Sequence, residues 1–353
     1  VTDIVIIGAG MAGASLAAEL AGAASVLILE AETQPGYHST GRSAAFWSES
    51  YGGPSIRPLT SASGPLLAGY LKPRGAIHIA DAAGSETLRT LAGRFPPPLL
   101  RPLARPALAA AIPGLRAGWD EGLAEPSCAD IDVAALHAAC LKRARAGGAE
   151  LLTDSRVERI ERSGSTWLID GKFEAGIIVN AAGAWADRVA VLAGERPLGI
   201  RPYRRTIVQL RVDPPAPAGL PLVVDVSGRF YFKPEAGGRL WLSPHDETPA
   251  EPCDCAPEEI DVARAIDRLA QVVDWRVERV EHAWAGLRSF APDRLPVYGF
   301  SDSGRGFFWC AGQGGFGIQT APAAARLAAA LLLGVGPGPV DPAPYSASRF
   351  FLA

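Results

Sequence analysis

Residues 3–30 read DIVIIGAGMAGASLAAELAGAASVLILE, and this stretch decides the fold. Residues 3–7 form a short β-branched run, the composition of a strand buried on both faces. Gly8-Ala9-Gly10-Met11-Ala12-Gly13 follows at once and leads into helix-prone residues 14–20. A second apolar run, residues 25–29, ends in Glu30, about 20 residues beyond Gly8, where a ribose-binding acid belongs in a βαβ unit. Gly8 allows the tight turn, Gly10 lets a pyrophosphate approach the backbone, Gly13 lets the helix lie close to the strand, and the helix start attracts the anion. A carboxylate at Glu30 disfavours a 2′-phosphate, so the cofactor reads as NAD or FAD rather than NADP.

Working outward, residues 147–153 read as a strand, residues 157–160 and 166–169 as a hairpin-like pair, and residues 176–180 as a buried strand running into Ala181-Ala182-Gly183. This second strand-to-glycine junction marks a return of the dinucleotide fold. Residues 53–124 are rich in Pro, Leu and Ala and read as irregular, whereas residues 196–286 hold separated β-like runs at 207–212, 222–226 and 230–233. Two interleaved domains are expected, one built from 1–52, 125–195 and 287–353, the other from 53–124 and 196–286. No internal repeat is visible, and residues 214–221 and 337–344 read as loops.

The 353 residues are 48% hydrophobic and 20% charged, which excludes disorder and coiled coil. Lys and Arg number 34 against 37 Asp and Glu, a net charge of −3, so no polycationic face is available for nucleic acid. Five cysteines without CxxC spacing argue against structural zinc and for a reducing compartment. The apolar opening carries Asp3 and Glu19, and the Ala/Leu stretch near Leu331 is broken by Arg326, so no membrane span is expected and a cytoplasmic location is.

The motifs IVIIGAGMAGASLA from Ile4, PGYHSTGRSAA from Pro35, ADIDVAALH from Ala129, VNAAGAWAD from Val179, RPYRR from Arg201, FYFKP from Phe230, HAWAGLRSF from His282 and GQGGFGIQT from Gly312 occur in order along nearly the whole chain. Together they resemble the D-amino-acid oxidase-like flavoprotein family, most nearly its bacterial arginine-dehydrogenating branch. The resemblance implies an α/β fold with a Rossmann-like FAD-binding domain, an interleaved α+β substrate domain on a mixed sheet, and non-covalent FAD. It also implies a cofactor site made of Gly8, Gly10, Met11, Ala12, Gly13, Glu30 and Ala31, the loop Ser39, Thr40, Gly41, Arg42, Ser43, Ala44 and Ala45, then Val157, Gly183, and Gly314, Gly315, Phe316, Gly317, Ile318 and Gln319. Covalent attachment at Cys310 competes with simple packing of that thiol in a buried strand, and packing is the expected reading.

For the substrate, the resemblance implies that Arg205, Arg288 and Tyr231 hold an α-carboxylate by forked, charge-assisted hydrogen bonds. Arg288 lies in an apolar stretch, where its competing role is a buried structural ion pair. Arg204 competes with Arg205, and strand alternation puts the two on opposite faces. Tyr51 matches a second pocket tyrosine or else a packing residue, and Ser48 keeps a hydroxyl near the flavin edge. Ala76 stands where the arginine-dehydrogenating branch has an acid, Phe46 replaces a histidine, and Gly315 completes the wall, so the side-chain anion is expected to be gone. His78 either restores polarity or packs. The implied reaction is oxidative deamination of neutral or hydrophobic D-amino acids by hydride transfer to flavin, with the electron acceptor open. Oxidation of secondary amines, glycine or D-proline is the alternative within enzymes, and a non-catalytic flavoprotein or electron-transfer subunit the alternative outside them.

Overall fold

A computed structural model describes residues 1–351. Its first sheet has the parallel core Phe173–Asn180, Thr2–Ile7, Val26–Leu29, Glu150–Leu152 in spatial order. The start of Phe173–Asn180 pairs with the antiparallel hairpin Ile160–Ser163 and Thr166–Ile169, and its end lies parallel to Phe307–Ala311, which carries Val297–Phe300 at its far edge. Alternation sorts the core. Ile4, Ile6, Val26 and Ile28 meet Leu16, Leu20 and Leu327 of the helices Met11–Leu20 and Gly317–Leu333 on one face. Val5, Ile7, Leu27 and Leu29 meet Val189, Ala190 and Trp167 on the other. Glycine at position 13 is obligatory, because a Cβ there would lie 1.9 Å from the Gly8 carbonyl oxygen.

The second sheet has nine strands and is mostly antiparallel, and its backbone is the long pair Arg201–Asp213 and Arg276–Phe290. Val208, Leu210, Phe230 and Phe232 face the helix Glu259–Val272, which buries Ala265, Leu269 and Val272 at helical spacing. The opposite parity, including Ile207 and Tyr231, faces inward to a cluster with Ala44 and Ala76. A small third sheet, Phe46–Trp47, Ala129–Ile131 and Leu71–Pro73, lies between.

Residues 53–124 are not irregular. They supply Ala76–Ala80, Arg101–Ala104 and Glu121–Glu125 to the second sheet and the helix Arg57–Leu67, which lies against Gly317–Leu333 rather than with the second sheet. Arg276–Phe290 also stays in the second sheet past residue 286. No helix among the described residues is long and apolar enough to cross a membrane.

Candidate active site

The carboxyl end of Thr2–Ile7 opens onto a cleft of about 360 Å³. Gly8, Gly10, Met11, Ala12, Glu30, Ala31, Ser39, Thr40, Ser43, Val157, Gly183, Gly314, Gly315, Gly317 and Ile318 all line it. Glu30 Oε2 accepts the Ala9 amide at 2.7 Å and Oε1 the Glu32 amide at 3.0 Å, which leaves one lone pair on each oxygen for a ribose hydroxyl. Thr40 Oγ1 accepts the Met11 amide at 2.9 Å and so ties the loop to the helix start. His137, absent from the expected set, supports the glycine turn from behind through Nε2 and the Ala9 carbonyl at 2.8 Å. Ser289 also lines the cleft, and its buried hydroxyl has no partner among the described residues. A long groove of glycine backbone, a helix start with unpaired amides, a half-used acid and an orphaned hydroxyl fit a dinucleotide.

Seven expected cofactor residues are outside this lining: Ala44, Ala45 and Gln319 line a second cavity beside it, and four stand elsewhere. Gly13 is spent on helix packing, and Gly41 closes a turn on the Gly36 carbonyl. Phe316 is buried with Ile56 and Phe290. Arg42 points away, with Nη2 on Asp254 at 2.5 Å and Nη1 on the carbonyls of Cys255 and Ala285 at 2.9 and 3.2 Å. Three acceptors already satisfy this guanidinium, so it clamps the loop from outside. Cys310 is buried in Phe307–Ala311, where burial pushes its thiol up to about 12.

A second, smaller cavity of about 20 Å³ joins the cleft at Ser43, Arg288, Gly315 and Ile318. Ala44, Ala45, Phe46, Tyr51, Arg205, Tyr231 and Gln319 complete its wall. The register explains the guanidinium pair. Tyr203 lies opposite Arg288 and Gly286 opposite Arg205, so the two arginines are diagonal neighbours on one face. Arg204 takes the other face and is occupied by Glu258 and Asp261.

Arg205 Nε donates to the Asp246 carbonyl at 2.7 Å and Nη2 to Glu247 at 3.1 Å. Arg288 is different. It is 7% exposed, its hydrogen bond to the Arg42 carbonyl is long at 3.4 Å, and no carboxylate among the described residues pairs with it. Burial pulls its guanidinium below the usual range, opposed by Tyr231 and reinforced by Arg205. Burial likewise raises the Tyr231 phenol, against the pull of both arginines, so it faces the cavity as a protonated donor. An unpaired buried cation is strongly unfavourable, and a cavity holding one beside a second cation is built for an anion.

Ser48, Ala76 and His78 are not in this wall. Ala76 packs behind it with Tyr231 and Phe46 partly covering it. Opposite Ala76 in the sheet stands Glu125, fully buried, so an acid is present after all, one strand away from its expected place. Its oxygens are taken by the hydroxyls of Ser48 at 2.8 Å and Ser50 at 2.5 Å and the amides of Glu49 at 2.7 Å and Ser50 at 3.3 Å, with His78 Nε2 at 3.6 Å. Nothing remains for a substrate cation. His245, also unforeseen, stands edge-on to Tyr231 with ring centroids 5.6 Å apart. Burial and then Arg205 bring its ring down to about 3, and its Nδ1 has no partner among the described residues. No group of three metal-ligating side chains occurs among the described residues.

Residues 3–331 match the family model described as FAD dependent oxidoreductase, DAO. The chain belongs to that family. It binds FAD, and the groove with its half-used acid fits that dinucleotide. A glycine oxidase of Pseudomonas aeruginosa is 29% identical over 248 residues, covering 67% of this chain and 65% of the relative. The bovine FAD-dependent oxidoreductase domain-containing protein 1 is 33% identical over 194 residues, 50% of this chain but 40% of that protein. The matches thus span about two-fifths of the length of such relatives. Among solved structures, glycine oxidase from Geobacillus kaustophilus superposes with a TM-score of 0.85 at 26% identity over 99% of this chain and 98% of its own. L-proline dehydrogenase from P. horikoshii, at 22% identity and a TM-score of 0.84, shares the fold.

Proposed function

We propose that this flavoprotein oxidatively deaminates a small, neutral α-amino acid, with the D-enantiomers implied by the motif resemblance. The observation that carries the reading is Arg288, a buried guanidinium without a carboxylate, opening with Arg205 into a cavity that joins the FAD cleft. A substrate carboxylate supplies the missing anion. Arg288 presents its fork, Arg205 offers Nη1, its other nitrogens being engaged, and the Tyr231 hydroxyl donates a third hydrogen bond. Ser48, Ala76 and His78 act from behind the cavity.

Three donors fix the carboxylate, so the Cα–H bond is held in one orientation, and restricted geometry is itself a large part of the rate. FAD held there would supply the redox chemistry as acceptor of the Cα hydride, the ammonium proton of the substrate would leave to solvent, and the released imine would take up water to give the 2-oxo acid and ammonia. Phe46, Ala44, Ala45 and Ile318 present no charge to the substrate side chain, and Glu125 is saturated, so a cationic side chain would be desolvated without a partner. The likeness to glycine oxidases favours the short end of the substrate range, and it equally supports glycine or a small secondary amine such as sarcosine or D-proline.

Anaerobic mixing with glycine, sarcosine and both enantiomers of alanine, proline, leucine and arginine tests this. Bleaching of the flavin by small neutral members, and not by arginine, is expected. Bleaching by none of them would overturn the reading.

A further inference from the structure

We propose that Glu125 is a positioning residue that sets Tyr51 over the substrate cavity. The inference rests on the amino-acid reading above and adds a residue that no site motif contains.

Residues 48–51 form a turn closed by the Tyr51 amide on the Ser48 carbonyl at 3.3 Å. Glu125 reaches this turn from the edge of Glu121–Glu125 and accepts both serine hydroxyls and two of its amides. A carboxylate has about four lone-pair sites, and all are used. Burial pushes the carboxyl up, but nearby His78 and the hydroxyls of Ser50 and Ser48 outweigh it and hold Glu125 below its ordinary range. From the opposite side, Gln319 accepts the Ser48 amide at 3.1 Å and donates to the Tyr51 carbonyl at 3.2 Å. The turn is therefore gripped by one residue from each large sheet's layer, and Glu125 supplies most of the bonds.

What the turn delivers is Tyr51. Its ring packs on Phe46 and Phe316 at centroid distances of 5.2 and 5.8 Å, and its hydroxyl overhangs Gly315, where a Cβ would lie 2.2 Å from it. Gly315 belongs to both the cavity and the cleft, so a shift of the turn moves the phenol across the junction. An amide in place of Glu125 has a single acceptor oxygen and cannot satisfy four donors.

The test is Glu125→Gln, with Ser50→Ala as a milder variant that keeps the carboxylate. Flavin reduction is followed anaerobically with whichever of glycine, sarcosine, D-alanine and D-proline bleaches the native holoenzyme fastest. With FAD content retained, the substrate dissociation constant should rise about tenfold in Glu125→Gln and about threefold in Ser50→Ala, the scale of one charge-assisted or one neutral hydrogen bond. The limiting reduction rate should change far less. In a Tyr51→Ala background neither substitution should add a further effect, because the pathway runs through Tyr51. Unchanged dissociation constants, or equal effects with and without Tyr51, would overturn the proposal; if Glu125→Gln loses FAD, the Ser50→Ala pair decides alone. Arg288→Ala measured alongside separates the levels. Native substrate binding there defeats the carboxylate reading itself, whereas its loss together with native binding in Glu125→Gln defeats only the positioning role.

Discussion

Arg288 Nη1 lies over Gly286, the residue paired with Arg205, where a Cβ would stand 3.1 Å from it. The missing side chain at one register position is what lets two guanidinium groups share a cavity. Adding a methyl at Gly286 would also meet Arg42 Cβ at 3.0 Å. Gly286→Ala should therefore tilt Arg288 and lower kcat/KM by about tenfold or more, with FAD retained, since small displacements of a positioning group are costly in rate. Steady-state kinetics with the preferred amino acid checks this.

Gly315→Ala places its methyl against the Tyr51 hydroxyl. Substrate binding should weaken by about tenfold, and Tyr51→Phe in the same chain should restore part of it by removing the clashing oxygen. The two single variants and the double variant, compared by flavin bleaching, give the answer.

Glu30→Gln keeps the shape and removes the charge that accepts the Ala9 and Glu32 amides and faces the cleft. Weakening a charged acceptor by about 1.5–3 kcal/mol corresponds to a loss of FAD affinity of roughly tenfold or more. Equilibrium titration of the apoprotein with FAD measures it.

His245 is held down to about 3 by burial and by Arg205. The unfolded chain takes up a proton there near pH 6.5 that the folded chain refuses, so stability is full above that pH and falls as pH drops toward 3. The loss is about 1.4 kcal/mol per pH unit for one proton. His245 has φ of 54°, which asparagine tolerates, so His245→Asn should keep the fold and flatten the decline of Tm between pH 6.5 and 5. An unaltered slope would show that other groups govern the acid limb.

Much of the cofactor half was legible because its signals are local. Strand, glycines, helix and Glu30 follow one another within one βαβ unit, and each residue's task is set by its neighbours. Alternation put Arg204 and Arg205 on opposite faces, because the strand Arg201–Asp213 is regular over that stretch, and the motif resemblance chose Arg205 as the inward one. Residues 53–124 were opaque for the opposite reason. Their strands are short, pair with one another across the intervening chain through Glu121–Glu125, and join the rest of the sheet where Ala76–Ala80 pairs with Leu222–Asp225. Arg42 gave no local sign of turning outward, since Asp254 lies far along the chain. Glu125 was missed likewise: only the pairing of Ala76 with Glu125 puts an acid behind the cavity.

The most direct measurement is anaerobic flavin reduction by Arg288→Ala holoenzyme across the same amino-acid panel. Removing the unpaired guanidinium should leave FAD bound and cut reduction efficiency at least about a hundredfold, the equivalent of roughly 3 kcal/mol of charge-assisted contact. Bleaching at near-native efficiency would contradict the account, because the cavity would then orient its substrate without Arg288, the cation of its wall that pairs with no carboxylate among the described residues.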